Sequence, residues 1–150
     1  MIFVTVGTTH FDSLIEAMDR FAATDPRRED VVFQIGAGRH EPRHGEFFRF
    51  RPSIDDELSR ADLVVTHGGA TVFSLLAQRK RFVAVANTGI DGNHQARFLR
   101  FLGERSSVLW SEDPSELPTL IARARELPPA ELTAPSLRGD LRGFIVEALA

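Results

Sequence analysis

The chain has 150 residues, 43% of them hydrophobic, and a formal net charge of −3, a balance that fits one globular domain with its own core rather than a disordered segment. It holds no cysteine, which excludes disulfides, thiol nucleophiles and cysteine-ligated metals. No basic tract favours nucleic acid, no apolar run approaches the roughly 20 residues that span a bilayer, and no basic leader precedes Ile2, so a cytoplasmic protein is expected.

Strands and helices alternate along the chain. Residues 2–6 form an apolar, β-branched run that reads as a buried strand, and Phe11, Leu14, Ile15, Met18 and Phe21 then recur at helical spacing. Ser13 and Glu16 are spaced as a capping box for that helix. Residues 31–35 are a second strand, residues 36–45 a polar loop with Arg39, His40, Arg43 and His44, and residues 47–50 a short third strand. Pro52 and Ser53 open a short helix that runs to Arg60. Residues 63–66 are the fourth strand, with a helix over 71–78, and residues 82–86 are the fifth. A helix over 93–102 is expected to stop at Gly103 as its C′ residue. Residues 107–110 complete a sixth strand, and helices over 114–127 and 137–149 follow. This alternation predicts an α/β fold with a doubly wound parallel sheet. Its ligand edge, at the carboxyl ends of the strands, collects loops 7–10, 36–45, 67–71 and 87–95.

Two of these loops have the look of anion sites. Leu63-Val64-Val65-Thr66-His67-Gly68-Gly69-Ala70-Thr71 is a strand, a tight turn and a helix start, which leaves backbone N–H groups bare at a helix N-terminus. Gly7-Thr8-Thr9-His10 repeats the arrangement after the first strand, and two such turns suggest a ligand with a diphosphate. Each residue also has a plainer reading. His67 donates to a phosphate oxygen or bonds neighbouring backbone, Gly68 and Gly69 admit a ligand or simply make a turn, and Thr71 binds phosphate or caps its helix. Gln95 faces sugar hydroxyls, or else Asp91 and Asn93 merely cap the helix beside it. There is no Walker A loop, and Gly36-Ala37-Gly38 is only half of a dinucleotide fingerprint, so no nucleotide cofactor is expected. His10, His40 and His44 lack zinc spacing, and Asp55-Asp56-Glu57 reads as a charged helix start, so no metal is expected either.

Three blocks in order carry a resemblance. They are Phe3-Val4-Thr5-Val6-Gly7-Thr8-Thr9 with Phe11-Asp12 and Leu14-Ile15, then Ile54-Asp55 through Ala61-Asp62-Leu63-Val64-Val65-Thr66-His67-Gly68-Gly69, then His94-Gln95. Over roughly residues 1–105 the chain resembles the C-terminal, sugar-nucleotide-binding domain of family-28 glycosyltransferases. It is most similar to single-domain members that serve as catalytic subunits of N-acetylglucosaminyl and exopolysaccharide transferases.

The resemblance implies one half of a GT-B glycosyltransferase, inverting and metal-independent, with a UDP-sugar as donor and no cofactor. It puts Gly7, Thr8 and Thr9 on one side of the donor diphosphate and His67, Gly68, Gly69, Ala70 and Thr71 on the other. It sets the stretch from Phe50 to Ile54 beside the uracil and Asp91, His94 and Gln95 toward the sugar. Ser74 stands where many relatives carry a ribose-binding Glu, which leaves a non-catalytic sugar-nucleotide-binding or enhancer subunit as the alternative. A sugar-nucleotide epimerase is a further rival of the same architecture, but such enzymes carry both halves in one chain. The resemblance also implies a membrane-anchored, acceptor-binding partner subunit. That partner would bring a lipid-linked saccharide and hold this chain at the cytoplasmic face of a membrane. His10 is the expected general base unless the partner supplies one, and the helix over 137–149 packs on that partner or on its own domain.

Overall fold

The computed structural model describes residues 1–133, and these form a six-stranded, all-parallel sheet with helices on both faces. The strands are β1 (Ile2–Thr5), β2 (Val31–Gln34), β3 (Glu46–Phe48), β4 (Leu63–His67), β5 (Phe82–Val85) and β6 (Leu109–Ser111), in the order β3-β2-β1-β4-β5-β6. The described helices are α1 (Asp12–Thr24), α2 (Asp55–Arg60), α3 (Thr71–Ala77), α4 (His94–Arg105) and α5 (Leu117–Glu126). The chain builds outward from β1 to β3, crosses back to lay β4 on the other side of β1, then builds outward to β6. The doubly wound architecture expected from the alternation is therefore present. Its switch point lies between β1 and β4, from which α1 and α3 leave to opposite faces of the sheet, the place where folds of this kind bind ligands.

Strand alternation divides the core in two. Ile2 and Val4 of β1 join Leu14 and Met18 of α1 and Leu117 and Ile121 of α5 on one face. Phe3 turns to the other face, with Leu58 of α2, Val72 and Leu75 of α3, and Leu99 of α4. Phe3, Leu14, Leu75 and Leu99 are wholly buried, each worth roughly 1.5–3 kcal/mol relative to exposure. This two-sided burial holds the central strands and the loops at their carboxyl ends in register, Thr5 opposite both Gln34 and Thr66.

Several boundaries differ from expectation, each for a local reason. No capping box forms at α1: the helix begins at Asp12, its N-cap Phe11 makes no side-chain bond, and Ser13 already lies in the first turn. Helix α4 does not stop at Gly103 but runs to Arg105. The glycine instead makes room for Trp110, since a Cβ there would sit 2.5 Å from the indole Nε1. Strand β3 pairs one residue earlier than expected, and the helix after Pro52 begins only at Asp55, with the Ser53 hydroxyl accepting from the Asp55 amide at 3.1 Å. A 3-10 turn, Pro114–Glu116, precedes α5, and its N-cap Asp113 accepts from the Ser115 amide. The helix expected over 137–149 lies outside the described residues.

Candidate functional site

The parallel strands carry loops 7–10, 36–45, 67–71 and 87–95 to one edge, and the tightest convergence is at the switch point. His67 is the last residue of β4 and is 7% exposed. Its ring lies between the two glycine turns. A Cβ on Gly69 would meet the ring Nε2 at 2.5 Å, and one on Gly7 would meet Cε1 at 3.6 Å. Burial lowers the pKa of His67, with the Thr5 backbone partly opposing, so the imidazole is neutral near pH 7. Its Nδ1 is buried without a hydrogen-bond partner among the described residues. A buried polar atom left unpaired costs free energy, which is recovered when a ligand supplies the partner.

Each glycine turn is bare only in part, because one amide of each is already taken. The Gly7 amide is taken by the Thr5 hydroxyl at 3.1 Å, and that hydroxyl donates in turn to Gln34 Oε1 at 2.6 Å. The Gly68 amide is taken by Gln95 Oε1 at 3.1 Å. Among the described residues the amides of Thr8, Thr9, Gly69 and Ala70 make no hydrogen bond, so these four remain for an anion. Gly7 needs its glycine for a φ of +62°, whereas Gly68 needs it for close packing, since a Cβ would sit 2.9 Å from Gln95 Cβ and 3.1 Å from Leu99 Cδ1. Thr71 does not cap: α3 starts on it, and its N-cap Ala70 makes no side-chain bond. The Thr9 hydroxyl is spent on the Val6 carbonyl at 2.9 Å, while Thr8 and His10 are exposed.

Gln95 enters the edge from the first turn of α4, half-buried. Its Oε1 accepts from two backbone amides, Gly68 and Asn87 (2.9 Å), which fixes the amide orientation and leaves Nε2 as the group able to face a ligand. His94 beside it is exposed, and Asp91 opens the 3-10 turn Asp91–Asn93 just before the helix. Asn93 does not cap α4, for it is left-handed at φ 69° and makes no capping bond. Phe50 is 61% exposed past the end of β3, and Ile54 is half-buried against the core. Between them Arg51 lies over the Phe48 ring, 4.0 Å from its centroid, and pairs with Glu57. Glu57 lies in the first turn of α2 with Asp55 and Asp56, as a charged helix start predicts, but it is 4% exposed, and its Oε2 has no hydrogen-bond partner among the described residues. Ser74 is exposed and its hydroxyl accepts from Gln78 Nε2 at 2.8 Å.

The sequence reading missed the roles of three further residues. Asp12 Oδ1 accepts from the Arg39 and His40 amides at 2.9 and 3.1 Å and so holds the polar loop after β2. Asp19 is 7% exposed and gathers the rest of that loop. Burial pushes its carboxyl up, but the His44 amide, the His40 and His44 rings and the Arg43 amide outweigh this and hold it below the usual carboxylate range. Thus His40 and His44 serve the loop, and no cluster of metal-ligating side chains occurs among the described residues. The third is Asn87, whose hydrogen bonds cross the site. A helical pattern hides both Asp12 and Asp19, because a polar residue in a helix ordinarily faces water. A cavity of about 390 Å³ lies at the opposite, amino edge, lined by Met1, Val31, Glu46 and Arg60 among others, away from the switch point.

Comparison with known proteins gives this geometry a context. Residues 1–130 match the family model "Glycosyltransferase family 28 C-terminal domain". The chain is 31% identical over 123 residues to the human "UDP-N-acetylglucosamine transferase subunit ALG13", covering 73% of this chain and 11% of that protein. The mouse protein of the same name is 30% identical over 123 residues, covering 72% and 10%. The chain thus spans about a tenth of the length of these curated relatives. Among solved structures, the glycotransferase of kitacinnamycin superposes with a TM-score of 0.56 at 21% identity, over 98% of this chain and 38% of that one. The calicheamicin glycosyltransferase CalG4 gives 0.53 at 19% identity, over 99% and 39%.

Proposed function

Because the chain belongs to the family of glycosyltransferase family 28 C-terminal domains, we propose that it is the donor-binding, catalytic subunit of a two-component glycosyltransferase that uses a UDP-sugar. The observation that carries this reading is His67, a neutral, buried imidazole with Nδ1 unpaired, set between the two glycine turns at the switch point. The names of the relatives favour UDP-N-acetylglucosamine as donor and a second subunit as partner.

In the proposed reaction the acceptor hydroxyl attacks the anomeric carbon, the bond from that carbon to the diphosphate oxygen breaks, and UDP leaves with the negative charge. His67 and the free amides of Thr8, Thr9, Gly69 and Ala70 meet that charge as it grows, which lets the reaction run without a metal. Gln95 Nε2 and His94 turn to the sugar, with Asp91 in the turn beside them, while Phe50 and Ile54 border the base. The acceptor is a polyprenyl-diphosphate-linked saccharide brought by a membrane-anchored partner, so the pair works at the cytoplasmic face of a membrane. The acceptor's proton goes to His10, exposed on the first loop, or to a group of the partner.

The second reading, a non-catalytic sugar-nucleotide-binding or enhancer subunit, draws on Ser74, whose hydroxyl is occupied by Gln78. Calorimetric titration with UDP, UDP-GlcNAc, UDP-Gal and a GDP-sugar tests donor binding. Saturable binding of one UDP-sugar, weakened about tenfold or more by His67→Ala, is expected. Binding of the GDP-sugar instead, or an affinity unmoved by His67→Ala, overturns it. Turnover in the reconstituted pair that survives His67→Ala favours the non-catalytic reading.

A further inference from the structure

We propose that Asn87 is a positioning residue that locks the loops after β1, β4 and β5 into one unit around the anion site. It is 5% exposed, just past the end of β5. Its Nδ2 donates to the His10 carbonyl at 2.8 Å, across 77 residues of chain. Its Oδ1 accepts from the Gly89 amide at 3.2 Å, and its own amide donates to Gln95 Oε1 at 2.9 Å. That same oxygen accepts from Gly68. One asparagine and one glutamine oxygen therefore tie all three loops together. With partners on both sides of the Asn87 amide, its orientation is determined.

The tie matters because of where it spans. β1 and β5 are not neighbours, since β4 lies between them. Among the described residues the Asn87–His10 bond is the one hydrogen bond that joins loop 7–10 to the loops after β4 and β5. On its other side the same loop is already braced: the Ala37 amide donates to the Thr9 carbonyl at 2.9 Å, and Gly36 packs so close that a Cβ on it would collide with that oxygen. Remove the Asn87 tie and loop 7–10 is free to swing away from His67, which separates the Thr8 and Thr9 amides from those of Gly69 and Ala70. Charge stabilisation of a leaving group depends on donors held in place beforehand, so the tie acts on affinity through geometry while touching no ligand atom itself. The step from loop geometry to ligand affinity rests on the donor-site reading above.

Two substitutions isolate the tie. Asn87→Asp keeps an acceptor for Gly89 but sets an oxygen against the His10 carbonyl, and Asn87→Ser is neutral but too short to reach it. Hydrogen exchange without ligand is measured first. Exchange at least tenfold faster at Ala37, whose amide bonds the Thr9 carbonyl, and at Gly7, with β1 and β4 amides unchanged, is expected for both variants. Unchanged exchange at Ala37 and Gly7 overturns the tie, and so does acceleration spread evenly over all strands, the mark of a merely stabilising residue. UDP and UDP-GlcNAc are then titrated into the same samples, and a Kd about tenfold weaker in both variants is expected. Wild-type affinity despite a loosened loop overturns the positioning role. A wild-type chain that binds neither nucleotide refutes the donor reading, while the exchange result still decides the tie.

Discussion

The His67 ring is the most exacting residue of the site, because its packing and its titration pull together. The folded chain holds its pKa below the 6.5 of an unfolded histidine, so in the window between the two the unfolded chain binds more protons. Stability therefore rises with pH across that window and is lost as pH falls through it. Urea unfolding at pH 5, 6, 7 and 8 should show this slope in the wild type and a flatter one in His67→Gln, which cannot titrate. Equal slopes in the two proteins would mean that His67 is not held neutral. That a histidine stood here was legible in the sequence, but its unpaired Nδ1 was not. Which atoms of Gly7, Gly68 and Gln95 are consumed internally depends on distances between loops that are remote in sequence. The same is true of Asn87, read only as part of a loop until its partner at His10, 77 residues away, came into view.

Helices and strands were legible wherever a periodic apolar pattern ran long enough, as in α1 and the buried strands, and boundaries were not. Gly103 shows why. As a local signal a glycine after an apolar pattern ends a helix, but here the partner of the glycine is Trp110 on the following strand. Gly103→Ala sets two effects against each other. Helix propensity favours alanine by up to about 1 kcal/mol, whereas crowding a packed side chain costs about 1–3 kcal/mol. Since the indole Nε1 would lie 2.5 Å from the new Cβ, crowding wins, and thermal unfolding should register a net loss of about 1 kcal/mol. A rise in Tm would show that the indole gives way freely. At α2 the element depends on a pair. Arg51→Ala leaves Glu57 buried without its cation and should cost about 2 kcal/mol, whereas Arg51→Met with Glu57→Leu should recover most of that. Additive losses in the double variant would deny the coupling.

At the scale of the whole molecule, the parallel sheet followed from alternation alone, because buried parallel strands need crossovers and crossovers leave the loops at the strand ends. The strand order did not follow from composition or spacing, since nothing local states that β4 returns to the far side of β1. That return has a kinetic consequence. Ile2 pairs with Leu63 across about 60 residues, so the walls of the proposed anion site meet only after a long loop has closed. A nucleotide should then recognise the finished fold and ignore the transition state on the way to it. The one tryptophan, Trp110 on the edge strand β6, gives a fluorescence signal for a chevron experiment. Saturating UDP-GlcNAc should slow the unfolding limb in proportion to its affinity and leave the refolding limb where it was. A ligand that speeds refolding would mean that the crossing from β3 to β4 is made early, with the nucleotide serving as a template for the chain that later holds it.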